Sequence, residues 1–371
     1  MLLKRLRTKS RRYSVITGNK GEWSEAYTLL RLLGLGRLYA ADENLNQIDD
    51  MYFPIIKIFR KEQEGAEIAY SLSEENRIDV YINGNCVKAI PAKECSIEAS
   101  YLFDKILKGG SRAFAIQRSE EYLATIGCHR LAAPSSDKTD ISMQLHDVQT
   151  GYNSVCGFSI KSEVGSPPTL INASKATNFV YHITGLSPSD AAIINGIQSG
   201  NKIIDRMTML FERAENVSFV GTHSSTFSDN LMLIDSRMTE LLSYAMLYHY
   251  RDGLGNCEEV VEKLERENPL NFPRIGFYEY KFKKFLCAAA LGMTPATSWN
   301  GIDEANGGYI IVTTDGKVLA YHIYNRAFFE TYLLKNTKFE RASTSRHEFA
   351  SIYEERNEMR INLNLQIRFI K

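Results

Sequence analysis

Residues 138–161 read KTDISMQLHDVQTGYNSVCGFSIK and predict two strands joined by a turn. Apolar and polar residues alternate over residues 141–146, as they do in a half-buried strand. The pair Thr150-Gly151 supplies the turn, and the residues that follow predict the return strand. Asp140 therefore stands where the first strand begins and Lys161 where the second ends. We expect the two charged residues to lie near the same end of one hairpin.

A carboxylate beside an ammonium suits the metal-assisted cleavage of a phosphodiester. Carboxylates hold a hard cation such as Mg²⁺, which binds water and the scissile phosphate. A neighbouring lysine can stabilise the phosphate or orient the attacking water. Asp140 is the candidate metal ligand and Lys161 the candidate catalytic cation. Nucleases of this kind usually carry a second acid two residues before the lysine, and here that position is Ser159.

Because a serine hydroxyl is a poor ligand for magnesium, a second carboxylate must come from elsewhere in the chain. Glu25 and Glu22 are the best donors, since they lie in the first turn of a predicted helix that precedes the sheet. Glu163 is a weaker choice. It faces the same side as Lys161 but lies further along the strand.

The residues that follow Lys161 are suited to contacts with a nucleic acid. A glycine- and proline-rich loop begins at Ser162, and residues 172–178, NASKATN, are dense in small hydrogen-bonding side chains. The candidate DNA contacts in this part of the chain are Ser162, Asn172, Ser174 and Asn178, and Lys138, just before Asp140, is a further candidate. The alternative interpretation makes Asp140 an ordinary turn residue and Lys161 a surface charge.

The composition of the 371-residue chain is that of a globular protein, with 44% hydrophobic and 24% charged residues. Its formal net charge is zero, which still permits a basic groove. The six cysteines form no Cys-x-x-Cys pair, so we expect reduced thiols in a cytoplasmic protein. We expect no transmembrane helix. Residues 1–12 are basic, and they predict a solvated tail or an arm that touches DNA phosphates.

Local patterns predict several other elements. Helical spacing covers residues 22–33, Asn83-Gly84 marks a hairpin, and Asp315-Gly316 joins two strands in residues 308–322. Residues 231–234 look like a strand. The order of elements indicates an α/β core with one covered sheet.

Four blocks of the sequence together resemble the HpaII-type restriction endonucleases, type II enzymes of the PD-(D/E)xK nuclease superfamily. The blocks are GNKGEWSE at 18–25, LYAADENL at 38–45, FSIK at 158–161 with the Asn172-Ala-Ser and Thr177-Asn-Phe segments, and LNLQIRF at 363–369. The resemblance implies a restriction-endonuclease-like α/β core, with a mixed central sheet flanked by helices. It further implies a core at 13–255 with an insertion around 50–110, and a C-terminal DNA-recognition region at 256–371.

The resemblance also implies an activity and its residues. These enzymes cut duplex DNA at the palindrome CCGG with Mg²⁺ as cofactor. Carried over, Asp140 is the metal-binding aspartate, Lys161 the catalytic lysine and Glu25, or Glu22, the helix carboxylate. Reading CCGG needs donors to guanine, for which the candidates are Arg341, Arg346, His347 and Arg368.

A palindromic target makes a homodimer the natural binder of double-stranded DNA. A bacterial restriction system would also contain a cognate DNA methyltransferase, with no direct contact expected. Two alternatives stay open. One is a repair nuclease that recognises DNA structure, and the other is a DNA-binding protein that kept the fold and lost catalysis, which Ser159 would permit.

Overall fold

The computed structural model describes residues 16–62, 65–73, 75–133, 139–148, 150–322, 325–341 and 349–370. Within these residues the α-helices are α1 Lys20–Leu35, α2 Ala92–Lys108, α3 Gln117–Thr125, α4 Pro188–Asn195, α5 Lys202–Arg213, α6 Ser225–Ile234, α7 Met238–Asp252, α8 Cys257–Glu267, α9 Phe277–Leu291 and α10 Arg326–Lys335. The strands are β1 Arg37–Ala41, β2 Gln47–Lys61, β3 Glu67–Leu72, β4 Arg77–Ile82, β5 Asn85–Pro91, β6 Ile141–His146, β7 Asn153–Ser162, β8 Thr169–Ile171, β9 Asn178–Thr184, β10 Asn216–Thr222, β11 Gly308–Val312, β12 Val318–His322, β13 Thr337–Phe339, β14 Ile352–Glu355, β15 Glu358–Asn364 and β16 Ile367–Phe369. These elements confirm the predicted mixed α/β class. The basic segment 1–12 lies outside the described residues.

The chain divides into two compact units, each built from several segments. Unit 1 comprises the described residues up to Arg37 and those of Pro54–Ser135 and Asp140–Val155, and unit 2 those of Leu38–Phe53, Ser136–Thr139 and Cys156–Lys371. The boundary expected at residue 255 falls inside unit 2. No described helix is both long and apolar enough to span a membrane.

Helix α1 of unit 1 begins at a capping box. Asn19 Oδ1 accepts a hydrogen bond from the Glu22 N–H, and Glu22 Oε2 accepts one from the Asn19 N–H. The helix ends at Leu35, and Gly36 caps it with a φ of +67°, which suits a residue without a side chain. It packs closely on α2, since a Cβ on Gly34 would lie 2.3 Å from Ser96 Oγ. The predicted first helix is confirmed.

The strands of unit 1 follow the order β6-β2-β3-β4-β5, and their pairs are antiparallel. The hairpin β4–β5 turns at Asn83-Gly84, where both φ angles are positive, as predicted. Strand β6 alternates between buried and half-buried residues. The Asp147 N–H donates to the Tyr152 carbonyl at 2.9 Å, which closes the turn between β6 and β7. The hairpin of residues 138–161 is confirmed at its turn.

The sheet of unit 2 that contains β7 has the order β1-β12-β11-β7. It is mixed, because β11 is antiparallel to β12 but parallel to β7, and β1 is parallel to β12. The β11–β12 turn at Asp315-Gly316 follows the prediction, with Gly316 at φ +84°. Aromatic rings of α10 cover the sheet, with Phe329 against Tyr309 and Tyr321. This layer supports the strand that carries Lys161.

Two smaller antiparallel sheets complete unit 2, in the orders β10-β9-β15-β14 and β13-β16-β8. The strand expected at residues 231–234 is wrong, because these residues form the last turn of α6. Ser224 caps this helix by accepting from the Phe227 N–H. The buried Asn230 side chain anchors it by donating to the carbonyls of Thr294 and Thr297. Tertiary contacts thus override the local apolar run.

Candidate active site

The Lys161 side chain is held by two neighbours in unit 2. Its Nζ donates a hydrogen bond of 2.8 Å to Ser159 Oγ, and it lies 5.4 Å from the centre of the Tyr309 ring. The strands explain the arrangement. Residues two apart in β7 face the same side, and the parallel register sets Ser159 opposite Tyr309. The ammonium therefore rests on a hydroxyl and on an aromatic face, which attracts a cation.

Ser159 occupies the position at which the superfamily pattern carries an acid. Ser159 is 5% exposed, and its hydroxyl accepts a hydrogen bond from Lys161 Nζ. This geometry makes Ser159 a partner of Lys161. The expectation that the second metal-binding carboxylate comes from another part of the chain stays a prediction.

A cavity of about 260 Å³ opens beside Lys161 within unit 2. The glycine- and proline-rich loop predicted after β7 forms one wall, through Gly165, Pro167 and Pro168. Tyr332 and Phe369 form an apolar wall. The lysine thus lies at a cavity that is mostly apolar and partly closed to water, where a charged hydrogen bond is stronger than in bulk solvent.

Glu163 also lines this cavity, just beyond the end of β7. Its pKa is raised, chiefly because its carboxyl group is partly removed from water and further because the Asp315 carboxylate is near. The Thr314 N–H opposes the shift by donating to the carboxylate. A raised pKa disfavours the charged form that binds a metal. The role of Glu163 as a metal ligand stays a prediction.

Glu25 is half-buried on α1 in unit 1, and its Oε2 accepts a hydrogen bond of 3.1 Å from the Ala133 N–H. Ala133 precedes Asp140 by only a short segment, so this carboxylate is tied to the part of the chain that leads to the aspartate. Glu22, in contrast, completes the capping box of α1 through Asn19. The structure therefore gives Glu22 a structural role in the capping box, and the choice of Glu25 as the helix carboxylate stays a prediction.

Asp140 is half-buried in unit 1 and comes directly before β6. The residue before it, Thr139, belongs to unit 2, where its hydroxyl donates to the Glu304 carbonyl at 3.1 Å. Among the described residues, no group of three or more His, Cys, Asp or Glu side chains could hold a metal ion. The pairing of Asp140 with Glu25 as metal ligands stays a prediction.

The small polar residues predicted to touch DNA divide into accessible and buried ones. Asn172 is exposed, and Ser162 Oγ accepts from the Val164 N–H. Ser174 caps a short 3₁₀ helix. Asn178 is only 1% exposed, and its Oδ1 accepts from the side chain of Asn364 at 2.6 Å. This burial argues against the DNA contact predicted for Asn178 and indicates a structural role. Lys138 lies outside the described residues.

The two described candidates for base reading in the C-terminal region make contacts within the protein. Arg341 donates from Nη2 to the His249 carbonyl at 3.2 Å and lies over the Tyr250 ring. Arg368 forms an ion pair with Glu340, with Nε 2.9 Å from Oε2. Arg346 and His347 lie outside the described residues. The internal contact of Arg341 weakens its case as a base reader.

Sequence reasoning missed Tyr309 as a neighbour of Lys161. Residues 308–312 read GYIIV and predict a strand, in which Tyr309 and Ile311 share one face, so half of the signal was present. The other half is the parallel pairing of β11 with β7. This pairing joins strands far apart in the chain, and no local pattern encodes it.

Comparison with known proteins identifies the family of the chain. The family model of the HpaII restriction endonucleases matches residues 19–369. The chain belongs to this family. It is also similar to the type II restriction enzyme HpaII of Haemophilus parainfluenzae, with 40% identity over 358 aligned residues. The alignment covers 95% of this chain and 99% of that protein. No solved structure matches the chain. Membership of the HpaII family confirms the resemblance predicted from the sequence, and it means that this chain is homologous to a nuclease.

Proposed function

We propose that the chain is a type II restriction endonuclease that makes double-strand breaks in duplex DNA at CCGG. The observation that carries the proposal is the 40% identity to HpaII over 99% of that enzyme. The site agrees with it, because Lys161 lies at a cavity and is held by Ser159 and Tyr309. A lysine fixed in this way is suited to a phosphate oxygen.

Magnesium is the proposed cofactor, with Asp140 and Glu25 as its protein ligands. Mg²⁺ is commonly bound by one or two carboxylates, and water and substrate phosphates complete its shell. The two proposed carboxylates, Asp140 and Glu25, match this preference in number and in ligand type. When bound, the ion would polarise the scissile phosphate and lower the pKa of a bound water.

Lys161 would stabilise the charge that develops on the phosphate. An ammonium carries three N–H donors, so it can bond to Ser159 and still face a phosphate oxygen. The apolar wall of the cavity lowers the local dielectric constant and strengthens this interaction. Ser159 acts here by orienting the lysine.

DNA recognition falls to other parts of the chain. Arg346 and His347 remain the best candidates for base contacts, since Arg341 and Arg368 have partners within the protein. Lys138, Ser162, Asn172 and Ser174 are candidates for backbone contacts. A symmetric dimer, with each subunit cutting one strand, would match a palindromic site. A cognate methyltransferase would protect host DNA at the same sequence.

Plasmid digestion with Mg²⁺ tests the proposal directly. Discrete fragments whose ends map to CCGG are expected, and both Asp140→Ala and Lys161→Ala should abolish cleavage while DNA binding persists. Cuts at junctions or mismatches would support a repair nuclease, and binding without cleavage would support a catalytically inactive DNA-binding protein. Full activity in either variant would overturn the site assignment.

A further inference from the structure

The side chain of Thr139 fits against Gly157 in unit 2. A Cβ at position 157 would come within 2.7 Å of Thr139 Cγ2 and 2.8 Å of Thr139 Oγ1, distances that real Cβ atoms do not show. Gly157 lies in β7, four residues before Lys161. Thr139 directly precedes Asp140. Glycine at position 157 is therefore required by the close approach of the threonine.

Neither partner in this contact can easily move. The Gly157 N–H donates to Asn306 Oδ1 at 2.7 Å, and the Gly157 carbonyl accepts from the Gly307 N–H at 2.7 Å. The Thr139 hydroxyl donates to the Glu304 carbonyl at 3.1 Å. A β-branched side chain also has restricted χ1 freedom. Both residues are thus bound to the same loop, residues 304–307.

We propose that Thr139 and Gly157 are positioning residues for the metal-binding carboxylate. Successive Cα atoms are separated by a fixed 3.8 Å, so fixing Thr139 restricts where the backbone of Asp140 can lie. The contact holds the side chain of Thr139, the residue before Asp140, against β7, the strand that carries Lys161. A displacement of about 1 Å in such a site can cost about 100-fold in rate. The inference rests on the proposed function.

Gly157→Ala is the first test, with Gly221→Ala as matched control. Gly221 also lies in a strand of unit 2, but a Cβ there would meet no atom within 4 Å. For Gly157→Ala we expect cleavage of CCGG plasmid to slow about 100-fold. We also expect the Mg²⁺ concentration for half-maximal rate to rise. Gly221→Ala should match the wild type in both.

The double variant Gly157→Ala with Thr139→Ala separates positioning from folding. Removing the threonine methyl and hydroxyl leaves the Thr139 Cβ 3.4 Å from the added Cβ, an ordinary contact. We expect the double variant to cleave at least about tenfold faster than Gly157→Ala alone, a non-additive effect typical of residues in contact. Rates are referred to the DNA-binding-competent fraction, measured with Ca²⁺ in place of Mg²⁺, so that loss of folded protein does not count.

Three results would overturn the inference. They are a wild-type rate and Mg²⁺ requirement in Gly157→Ala, a slow double variant with no rescue, and a defect that disappears once the binding-competent fraction is counted. Thr139→Ala alone keeps the test open if Gly157→Ala does not fold, since it should fold and still show the raised Mg²⁺ requirement. Failure of the proposed function differs from these results, because then the wild type would not cut at CCGG.

Discussion

Lys161 Nζ donates a hydrogen bond of 2.8 Å to Ser159 Oγ, two residues earlier on the same strand. In the superfamily pattern an acid at this position binds the metal. Here the serine accepts a hydrogen bond from Lys161, the proposed catalytic lysine, and the Tyr309 ring lies against the ammonium from the neighbouring strand. We therefore expect Ser159 to orient the lysine and the metal ligands to come from other residues.

Ser159→Ala should slow cleavage by about tenfold or more while DNA affinity stays the same, because the lysine loses its partner and samples other rotamers. Lys161→Ala should be the more severe variant, with no measurable cleavage. Single-turnover rates at saturating Mg²⁺ measure both. A Ser159→Ala rate equal to that of the wild type would contradict the orienting role.

The Tyr309 ring makes a separable contribution to the site. Tyr309→Phe keeps the aromatic face beneath Lys161 and should cleave at close to the wild-type rate. Tyr309→Leu removes that face, and a cation–π contact of this kind contributes about 0.5–2 kcal/mol. We expect a severalfold lower rate in the leucine variant, measured at a temperature where both variants are folded by circular dichroism. Equal rates in the two variants would exclude the ring contact as a positioning element.

The two glutamates of α1 should respond differently to substitution. Glu25→Gln should abolish cleavage or strongly raise the Mg²⁺ requirement, since a neutral amide is a weaker ligand for a hard cation. Glu22→Ala removes half of a capping box and should lower the free energy of unfolding by about 0.5–2 kcal/mol, with the cleavage rate preserved. Urea unfolding and Mg²⁺ titration of the rate distinguish the two. The reverse outcome would assign the metal to Glu22.

The elements that could be predicted from the sequence are those with local signals. The alternation in β6, the Asn83-Gly84 and Asp315-Gly316 turns and the glycine-bounded α1 all depend on residues a few positions apart. The structure confirms each of them. The identity of Asp140 and Lys161 as candidates also came from one short hairpin, read together with the resemblance of the surrounding blocks.

What could not be predicted depends on pairing between distant segments. Asn178 was predicted to contact DNA because its segment is polar. The structure buries this residue, and its side chain accepts a hydrogen bond of 2.6 Å from Asn364, which lies 186 residues further along the chain. Arg341 looked like a base reader until its contact with the His249 carbonyl was seen. A sequence shows which hydrogen bonds and ion pairs a side chain is able to make, and the tertiary structure decides which partner it contacts.

Substitution of Arg341 and of Arg346 should distinguish a structural role from a role in DNA recognition. Arg341→Ala removes a hydrogen bond to the His249 carbonyl and packing on the Tyr250 ring. We expect it to lower the free energy of unfolding by about 1–3 kcal/mol without relaxing specificity for CCGG. Arg346→Ala should instead cost about 1–3 kcal/mol of discrimination if it contacts guanine. Competition between CCGG and single-substituted sites measures this, and relaxed specificity in Arg341→Ala alone would reverse the assignment.

Protonation of His249 should make the stability of unit 2 depend on pH. Burial lowers its pKa from 6.5 to about 4, and the nearby Arg341 guanidinium adds to the shift, although the hydrogen bond to the Leu254 carbonyl opposes it. His249 is 5% exposed and its Nε2 is buried with no hydrogen-bond partner among the described residues, so a second proton meets no acceptor from them. Because the folded-state pKa is depressed, the stabilisation is present above pH 6.5 and is lost as the pH falls through about 4.

The size of this loss should be about 3 kcal/mol, at 1.36 kcal/mol for each unit of pKa difference. His249→Asn keeps an amide that can donate to Leu254 but cannot take up a second proton. It should be less stable than the wild type at pH 7.5, since the ring stacked on Phe339 is lost. That deficit should shrink or vanish at pH 4.5 in urea unfolding experiments. A deficit that stays constant between the two pH values would show that the pKa of His249 is the same in the folded and unfolded states, and would contradict the prediction.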